Sequence, residues 1–310
     1  MIAGLLLRQQ LEQLAADHPL RNMAGCIHRG QVKNPCNACR DICPVGVYSG
    51  KLSRDADFSA CINCGLCVSA CPARCIAPSA QNAAAYLRVL ELDEDQLILS
   101  ERDTGPAAHL QVPALVGLPW EYLALLGMEH RVVLLEKTGT PADQKALWEK
   151  TLVRLVLFFG TEGYQSRFTR CTGQDTGPAA TMDRRQLFTR TRQRLQSSVM
   201  PKISADGLIF RALLDEKMRR HPGRYGFPLP MPGAGCTGCG VCALLCPQKA
   251  LTVTKNQQGF AVTVQPLLCN GCGLCQKACI ERAIPSMGVA RLTGMGPVCI
   301  FRGQAEVKEG

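Results

Sequence analysis

The sequence has few aromatic residues and no long apolar run. Aromatic side chains make up 5% of its 310 residues. The most apolar window, Val112 to Met128, contains Glu121 and is broken by four prolines and glycines, so it predicts no transmembrane segment. The apolar run from Ile2 to Leu7 has no positive region before it, so we expect no secretory signal and a cytoplasmic protein.

Motifs of the common enzyme classes are also missing. There is no phosphate-binding loop, no nucleophile elbow and no HExxH motif, and the five histidines show no ligand spacing. Gly233, Gly235 and Gly238 match G-x-G-x-x-G, but Cys236 lies inside the match and no strand precedes it. We interpret this match as chance. The sequence therefore predicts no catalytic residues and no organic cofactor site.

Cysteine, by contrast, is abundant and clustered. Sixteen of the nineteen cysteines lie in two blocks, residues 26–71 and 236–279. Three runs share the spacing C-x2-C-x2-C-x3-C: Cys61, Cys64, Cys67 and Cys71; Cys236, Cys239, Cys242 and Cys246; Cys269, Cys272, Cys275 and Cys279. Three thiolates at this spacing can wrap around one iron-sulfur cubane, and the fourth serves a neighbouring cluster. Structural zinc is the alternative, but zinc sites rarely need such a run.

In these runs the sequence resembles the bacterial two-cluster [4Fe-4S] ferredoxin domain, present in two copies, as in electron-transfer subunits of anaerobic oxidoreductases. The resemblance covers about a third of the chain and implies four [4Fe-4S] clusters. In the C-terminal copy it implies one cluster on Cys236, Cys239, Cys242 and Cys279, and another on Cys246, Cys269, Cys272 and Cys275.

The N-terminal copy departs from the family pattern. Its first run is Cys36, Cys39 and Cys43, and Lys33 stands where the first cysteine is expected. Cys26 is the natural substitute across a lengthened loop. We therefore expect one cluster on Cys26, Cys36, Cys39 and Cys71, and its neighbour on Cys43, Cys61, Cys64 and Cys67. If Cys26 is not a ligand, the first site could hold a three-iron cluster or take His28 instead.

Three cysteines lie outside this scheme. Cys75 follows the last ligand of its run by four residues and is predicted to be a small packed residue, with a spare ligand as the alternative. Cys171 and Cys299 have no partner in sequence, so we expect buried free thiols.

The region between the cysteine blocks predicts alternating strands and helices. We expect strands at Gln96–Ser100 and Arg131–Glu136, and helices at Gly117–Gly127 and Pro141–Phe159, which together suggest parallel strands in a small α/β layer. Beyond residue 160 the chain is basic, with helices predicted at Asp183–Ser197 and Asp206–Arg220. A Pro-rich linker is expected over Pro222–Gly235. In the second cysteine block, alternating residues predict a hairpin of Leu251–Thr254 and Phe260–Val264.

The predicted fold class is α+β, with two ferredoxin-like dicluster modules flanking a central small α/β domain with a helical basic segment. The expected boundaries are 1–22 for an N-terminal helix, 23–80 for the first module and 81–160 for the α/β domain. Residues 161–232 form the basic helical segment and linker, and residues 233–310 form the second module.

The formal charge of +10 is reduced once the clusters are counted. Each [4Fe-4S] core with four thiolates carries a charge of about −2, so four of them bring the total to about +2.

Five arginines fall on one predicted helix: Arg184, Arg185, Arg190, Arg192 and Arg194. They fit a solvated face or docking to an acidic redox partner better than nucleic acid, because aromatic residues for base stacking are sparse there.

These observations predict an electron-transfer protein that passes single electrons between a low-potential donor and a partner oxidoreductase. The resemblance implies an anaerobic bacterial or archaeal setting and a molybdopterin, hydrogenase or flavin enzyme as partner. Two alternatives stay open. One is an enzyme whose central domain holds a substrate or flavin fed by the clusters, and the other is a redox sensor or assembly factor. We expect a non-catalytic subunit or carrier rather than an enzyme.

Overall fold

A computed structural model describes residues 17–27, 36–48, 56–102, 108–172, 209–221 and 223–304. Most of the helix predicted over residues 1–22 and all of the helix predicted over 183–197 lie outside these residues, so both stay predictions. Within the described part of the first of these helices, residues 20 and 21 are extended and form a short strand.

The described strands are β1 (Leu20–Arg21), β2 (Ile76–Ala77), β3 (Gln96–Glu101), β4 (Leu110–Val112), β5 (Arg131–Glu136), β6 (Phe168–Thr172), β7 (Tyr225–Pro230), β8 (Leu251–Asn256), β9 (Gly259–Val264), β10 (Met287–Leu292) and β11 (Val298–Gln304). The described α-helices are α1 (Ala38–Asp41), α2 (Leu66–Ala70), α3 (Ala80–Leu90), α4 (Trp120–Glu129), α5 (Ala142–Phe159), α6 (Thr161–Gln165), α7 (Ile209–Arg220), α8 (Val241–Leu245) and α9 (Leu274–Ala278). Single 3-10 turns lie at Met23–Gly25, Phe58–Ala60 and Leu115–Gly117.

The central strands form one parallel sheet in the order β4, β3, β5, β6. Strands β3 and β5 lie where the apolar runs predicted them, and their register pairs the buried Leu97 with Val132. The two predicted helices form as α4 and α5. Helix α4 begins at Trp120 rather than Gly117, because Pro119 is extended and has no N–H to continue a helix before it.

Two strands lie where the sequence predicted a helical segment and linker over 161–232. Strand β6 pairs with β5 and buries Phe168, and strand β7 pairs antiparallel with β10. The linker prediction fails over Tyr225–Pro230 because a strand tolerates both prolines there. Pro228 and Pro230 are two residues apart, so their backbone nitrogens point toward the same edge of the strand. In a two-stranded sheet that edge can be the one away from the partner strand, where a missing N–H removes no hydrogen bond between strands. The predicted helix over 206–220 is described from Ile209 onward as α7.

The C-terminal region contains an antiparallel sheet in the order β11, β9, β8. The predicted hairpin is confirmed as β8 and β9, and Asn256 closes its turn by accepting hydrogen bonds from the backbone N–H of Gln258 and Gly259 at 3.0 and 2.9 Å.

The largest apolar core extends from the first cysteine block through the central region to the C-terminal sheet, and a second apolar cluster surrounds the N-terminal cysteines. The largest core joins Leu66 of the first cysteine block, Trp120 and Phe158 of the central helices, and Val262 of the C-terminal sheet. Aromatic rings pack at its centre, with Phe158 stacked on Tyr225 at 4.6 Å between centroids. The cysteine blocks are therefore held against one shared body. Among the described helices, none has the length and apolarity to cross a membrane.

Candidate iron-sulfur sites

The first N-terminal site gathers thiols from three separate segments. Cys26 follows the 3-10 turn at Met23–Gly25, Cys36 and Cys39 lie at α1, and Cys71 ends α2. Burial raises the pKa of Cys39 to about 11; Arg21 opposes the shift, and Cys71, Cys26 and Cys36 add to it. The pKa of Cys36 is likewise raised, first by burial and then by Cys71 and Cys26. All four predicted ligands thus lie close enough to interact.

The second N-terminal site brings Cys43 to the run that begins at Cys61. Burial raises the pKa of Cys64, and the thiols of Cys43 and Cys61 raise it further. Burial also raises the pKa of Cys67 to about 12, with Cys64, Cys39 and Cys61 adding to the shift. Cys39 is a predicted ligand of the first site, so its effect on Cys67 indicates that the two predicted ligand sets adjoin.

One C-terminal site is a cavity whose empty volume is about 370 Å³, part of it open to solvent. Its lining includes the four thiols predicted to share a cluster, Cys246, Cys269, Cys272 and Cys275. Burial raises the pKa of Cys275 to about 12, and the other three thiols of the set raise it further. These cysteines come from two runs, as the predicted exchange of the fourth cysteine between runs requires.

The cavity also presents an unpartnered donor. Asn270 lines it and is 3% exposed, and its Oδ1 accepts a hydrogen bond from the N–H of Cys272 at 3.2 Å. Its Nδ2 has no hydrogen-bond partner among the described residues. A buried amide N–H without a partner is costly, whereas a cluster sulfur in the cavity would accept it. The site therefore fits an iron-sulfur cluster.

The last predicted site lies nearest the surface. The pKa of Cys242 is raised by burial and then by Cys236 and Cys239, so these three thiols lie together. Cys239 is exposed, unlike the other predicted ligands. The fourth predicted ligand, Cys279, accepts a hydrogen bond on Sγ from the N–H four residues later at 3.3 Å, as Cys246 does at the same distance. Hydrogen bonds to sulfur are one determinant of cluster potential.

The regular runs share one backbone conformation. The residue after the second cysteine is a glycine with positive φ that immediately precedes a short helix: Gly65 at 75°, Gly240 at 83° and Gly273 at 71°. Positive φ recurs three residues after the last cysteine of all four runs, at Gly46, Arg74, Lys249 and Arg282. Residues other than glycine rarely adopt this conformation, so the same turn is imposed in each run. Cys43 therefore occupies the place of a fourth cysteine in its irregular run.

Within the described ranges, no group of three or more Cys, His, Asp or Glu side chains is arranged to hold a single metal ion. A [4Fe-4S] cubane differs from such a site because it spreads its four thiolate ligands over four irons.

Comparison with family models agrees with this geometry. A model described as a 4Fe-4S dicluster domain matches residues 235–283, and one described as a 4Fe-4S binding domain matches residues 55–77. The chain contains two ferredoxin-type domains. They bind [4Fe-4S] clusters and indicate an iron-sulfur electron-transfer protein. Searches of curated proteins and of solved structures gave no match.

The two ferredoxin-type domains touch each other. Gln248, just after the second domain's Cys246-Pro247, donates a hydrogen bond from Nε2 to the carbonyl of Ala73 at 2.9 Å. Leu274 packs against the apolar residues around the first N-terminal site. Lys277 of the same helix is near enough to Cys36 to lower the pKa of its thiol, against the larger effect of burial. The contact therefore joins the first N-terminal site to the site of Cys275.

The cysteines outside the scheme lie in three different settings. Cys75 is buried, as predicted, with its Sγ 3.5 Å from Sγ of Cys71. Cys171 is half-buried on β6 beside Ile98 and Val133. Cys299 is exposed, so the prediction of a buried thiol is wrong for it, because β11 lies at an edge of its sheet.

Proposed function

We propose that this chain is a four-cluster electron wire that passes single electrons between a low-potential donor and a partner oxidoreductase. The observation that carries the proposal is the direct contact between the two ferredoxin-type domains at Ala73, Gln248 and Leu274. Four sites far from one another would each hold an electron without passing it to the next site. Sites that adjoin in series can pass an electron along the chain.

The contacts support one order of the proposed sites. Cys67 and Cys39 join the two N-terminal sites, and Leu274 leads from the first of these to Cys275. Because each run of the C-terminal domain is expected to supply its fourth cysteine to the other site, the site of Cys239 comes next in the proposed order. By ligand set, the proposed order of the sites is Cys43, Cys61, Cys64 and Cys67; Cys26, Cys36, Cys39 and Cys71; Cys246, Cys269, Cys272 and Cys275; Cys236, Cys239, Cys242 and Cys279.

Both ends of this series reach the surface beside an exposed apolar residue. Ile62 follows Cys61 and is 50% exposed, and Ile280 follows Cys279 and is 74% exposed. Apolar side chains exposed next to a redox site are suited to close approach of another protein, because they lose no hydrogen bonds on contact. We assign the exchange of electrons with donor and acceptor to these two ends.

The protein's own residues hold, bury and orient the groups that carry the electrons. A bound cluster supplies reversible one-electron chemistry. The thiols of Cys39 and Cys275 are protonated in the metal-free chain, since burial raises their pKa values, so loading the clusters must displace protons from them. The surrounding apolar residues pack against the ligand loops and stabilise them.

The test is the iron and acid-labile sulfide content of the anaerobically purified chain, with EPR after dithionite reduction and an optical search for an organic chromophore. We expect about sixteen irons per chain and mutually interacting [4Fe-4S] signals. Eight irons would show that one domain serves another purpose. A bound flavin would favour the alternative of an enzyme fed by its clusters.

A further inference from the structure

Three arginines and one glutamate meet in the interior between the two ferredoxin-type domains. Glu121, on α4, is 3% exposed, and its Oε2 lies 3.3 Å from Nη2 of Arg74 while its Oε1 lies 3.3 Å from Nε of Arg211. Burial alone would raise the pKa of Glu121, but Arg74, Arg211 and Arg154 outweigh it and lower the pKa. The carboxylate is therefore ionised at neutral pH.

This group touches a ligand run of each domain. Arg74 lies three residues after Cys71, and its Nη1 donates to two carbonyls of α2 at 3.4 Å. Arg211 is 2% exposed, and its Nη1 donates to three carbonyls of the loop that ends at Cys269, including that of Cys269 itself. Glu121 joins the two arginines, so the group spans the space from one cysteine run to the other.

Arg154 completes the group from α5. Burial lowers its pKa to about 10; Arg74 and Arg211 lower it too, and Glu121 and Cys269 oppose them. It stays charged at neutral pH. A Cβ added to Gly271, inside the ligand run, would lie 3.9 Å from Nη2 of Arg154. Two guanidiniums, those of Arg154 and Arg211, thus approach the same ligand loop.

The charges of this group do not cancel. Three guanidiniums and one carboxylate leave a net charge of +2. Buried charge is costly unless opposite charge lies nearby. The thiol of Cys269, once ionised, favours the charged forms of both Arg154 and Arg211. A [4Fe-4S] cluster with four thiolates carries about −2 when oxidised and one further negative charge when reduced.

We propose that Arg74, Glu121, Arg154 and Arg211 form an electrostatic bridge that raises the reduction potential of the cluster held by Cys269 and its three partner cysteines. Positive charge stabilises the reduced cluster more than the oxidised one, because reduction adds negative charge. An electron that enters at either end of the series of sites is therefore stabilised at the site beside the contact between the domains. The inference rests on the ligand sets of the proposed function.

The test is a potentiometric titration followed by EPR on the full-length, anaerobically purified chain. Arg154→Gln removes one positive charge from a half-buried position, and we expect one cluster potential to fall. The ratio of reduced to oxidised cluster at fixed applied potential should drop about tenfold, equal to about 59 mV for one electron. Glu121→Gln removes the compensating negative charge and should move the same potential upward.

Arg154→Lys is the matched control, because it keeps the charge and should leave the potential near that of the wild type. If Arg154→Lys shifted the potential as much as Arg154→Gln does, the inference would be overturned. Unchanged potentials in Arg154→Gln and Glu121→Gln at full iron content would also overturn it. Shifts of the same sign in these two variants at full iron content would overturn it as well. If Arg154→Gln fails to bind iron, the direction of the shift in Glu121→Gln decides. The iron content of the wild type tests the proposed function separately, so the two failures are distinguishable.

Discussion

Gly117 offers the sharpest test of how the central region supports a cluster site. It ends the 3-10 turn that packs on the ligand run of Cys64, and a Cβ added to it would lie 2.0 Å from the carbonyl oxygen of Cys64. Ordinary contacts begin at 3.4 Å, so Gly117→Ala must move the ligand loop by about 1.4 Å. The loop is backbone and cannot rotate away. We expect the free energy of unfolding to fall by about 3 kcal/mol, near the upper end of overpacking costs.

A displaced Cys64 cannot keep its place on a cubane, so we expect Gly117→Ala to lose about four of sixteen irons per chain. Iron and sulfide analysis and EPR after reduction measure the loss. Gly296→Ala is the control, because a Cβ there meets nothing within 4 Å. If Gly117→Ala kept the iron content and EPR spectrum of the wild type, the close packing of this turn against the ligand run would be refuted.

Two further predictions concern single side chains. Cys26→Ser removes a proposed ligand and should lose about four irons per chain, whereas Cys75→Ala should keep them all; iron analysis giving the reverse would make Cys75 the ligand. His109 accepts a hydrogen bond on Nδ1 from the N–H of Ile98 at 2.9 Å, and burial lowers the pKa of its imidazole. Its contribution to the free energy of unfolding is therefore complete above pH 6.5 and is lost as the pH falls below that value. Between pH 7.5 and 5.5 the Tm of the wild type should fall more than that of His109→Gln, and equal falls would contradict this.

The ligand runs show what local sequence can predict. The backbone turn around Cys64, Cys239 and Cys272 is set by residues two or three positions away, and the glycine after each of these cysteines permits its positive φ. Spacing alone therefore located the cluster-binding segments. The apolar runs of β3 and β5 likewise predict these two strands, because a parallel strand covered by helices needs apolar residues along its length.

Strands β6 and β7 show where sequence patterns fail. Phe168 is the one buried residue of β6, and the prolines of β7 resemble those of a linker. Each segment becomes a strand only because a partner far along the chain offers its backbone, Val132 for Phe168 and Val289 for Pro228. Pairing of this kind leaves little trace in the local composition.

The cofactor class can be inferred from the sequence, since ligand type and spacing are properties of short segments. How the proposed sites are joined depends on the folded chain. The hydrogen bond from Gln248 to Ala73 spans 175 residues, and the ion pair of Arg211 with Glu121 spans 90. A buried arginine looks like a surface arginine in a sequence. Its charge acts on a cluster only once folding removes the water between them, because the low dielectric of the interior leaves that charge unscreened.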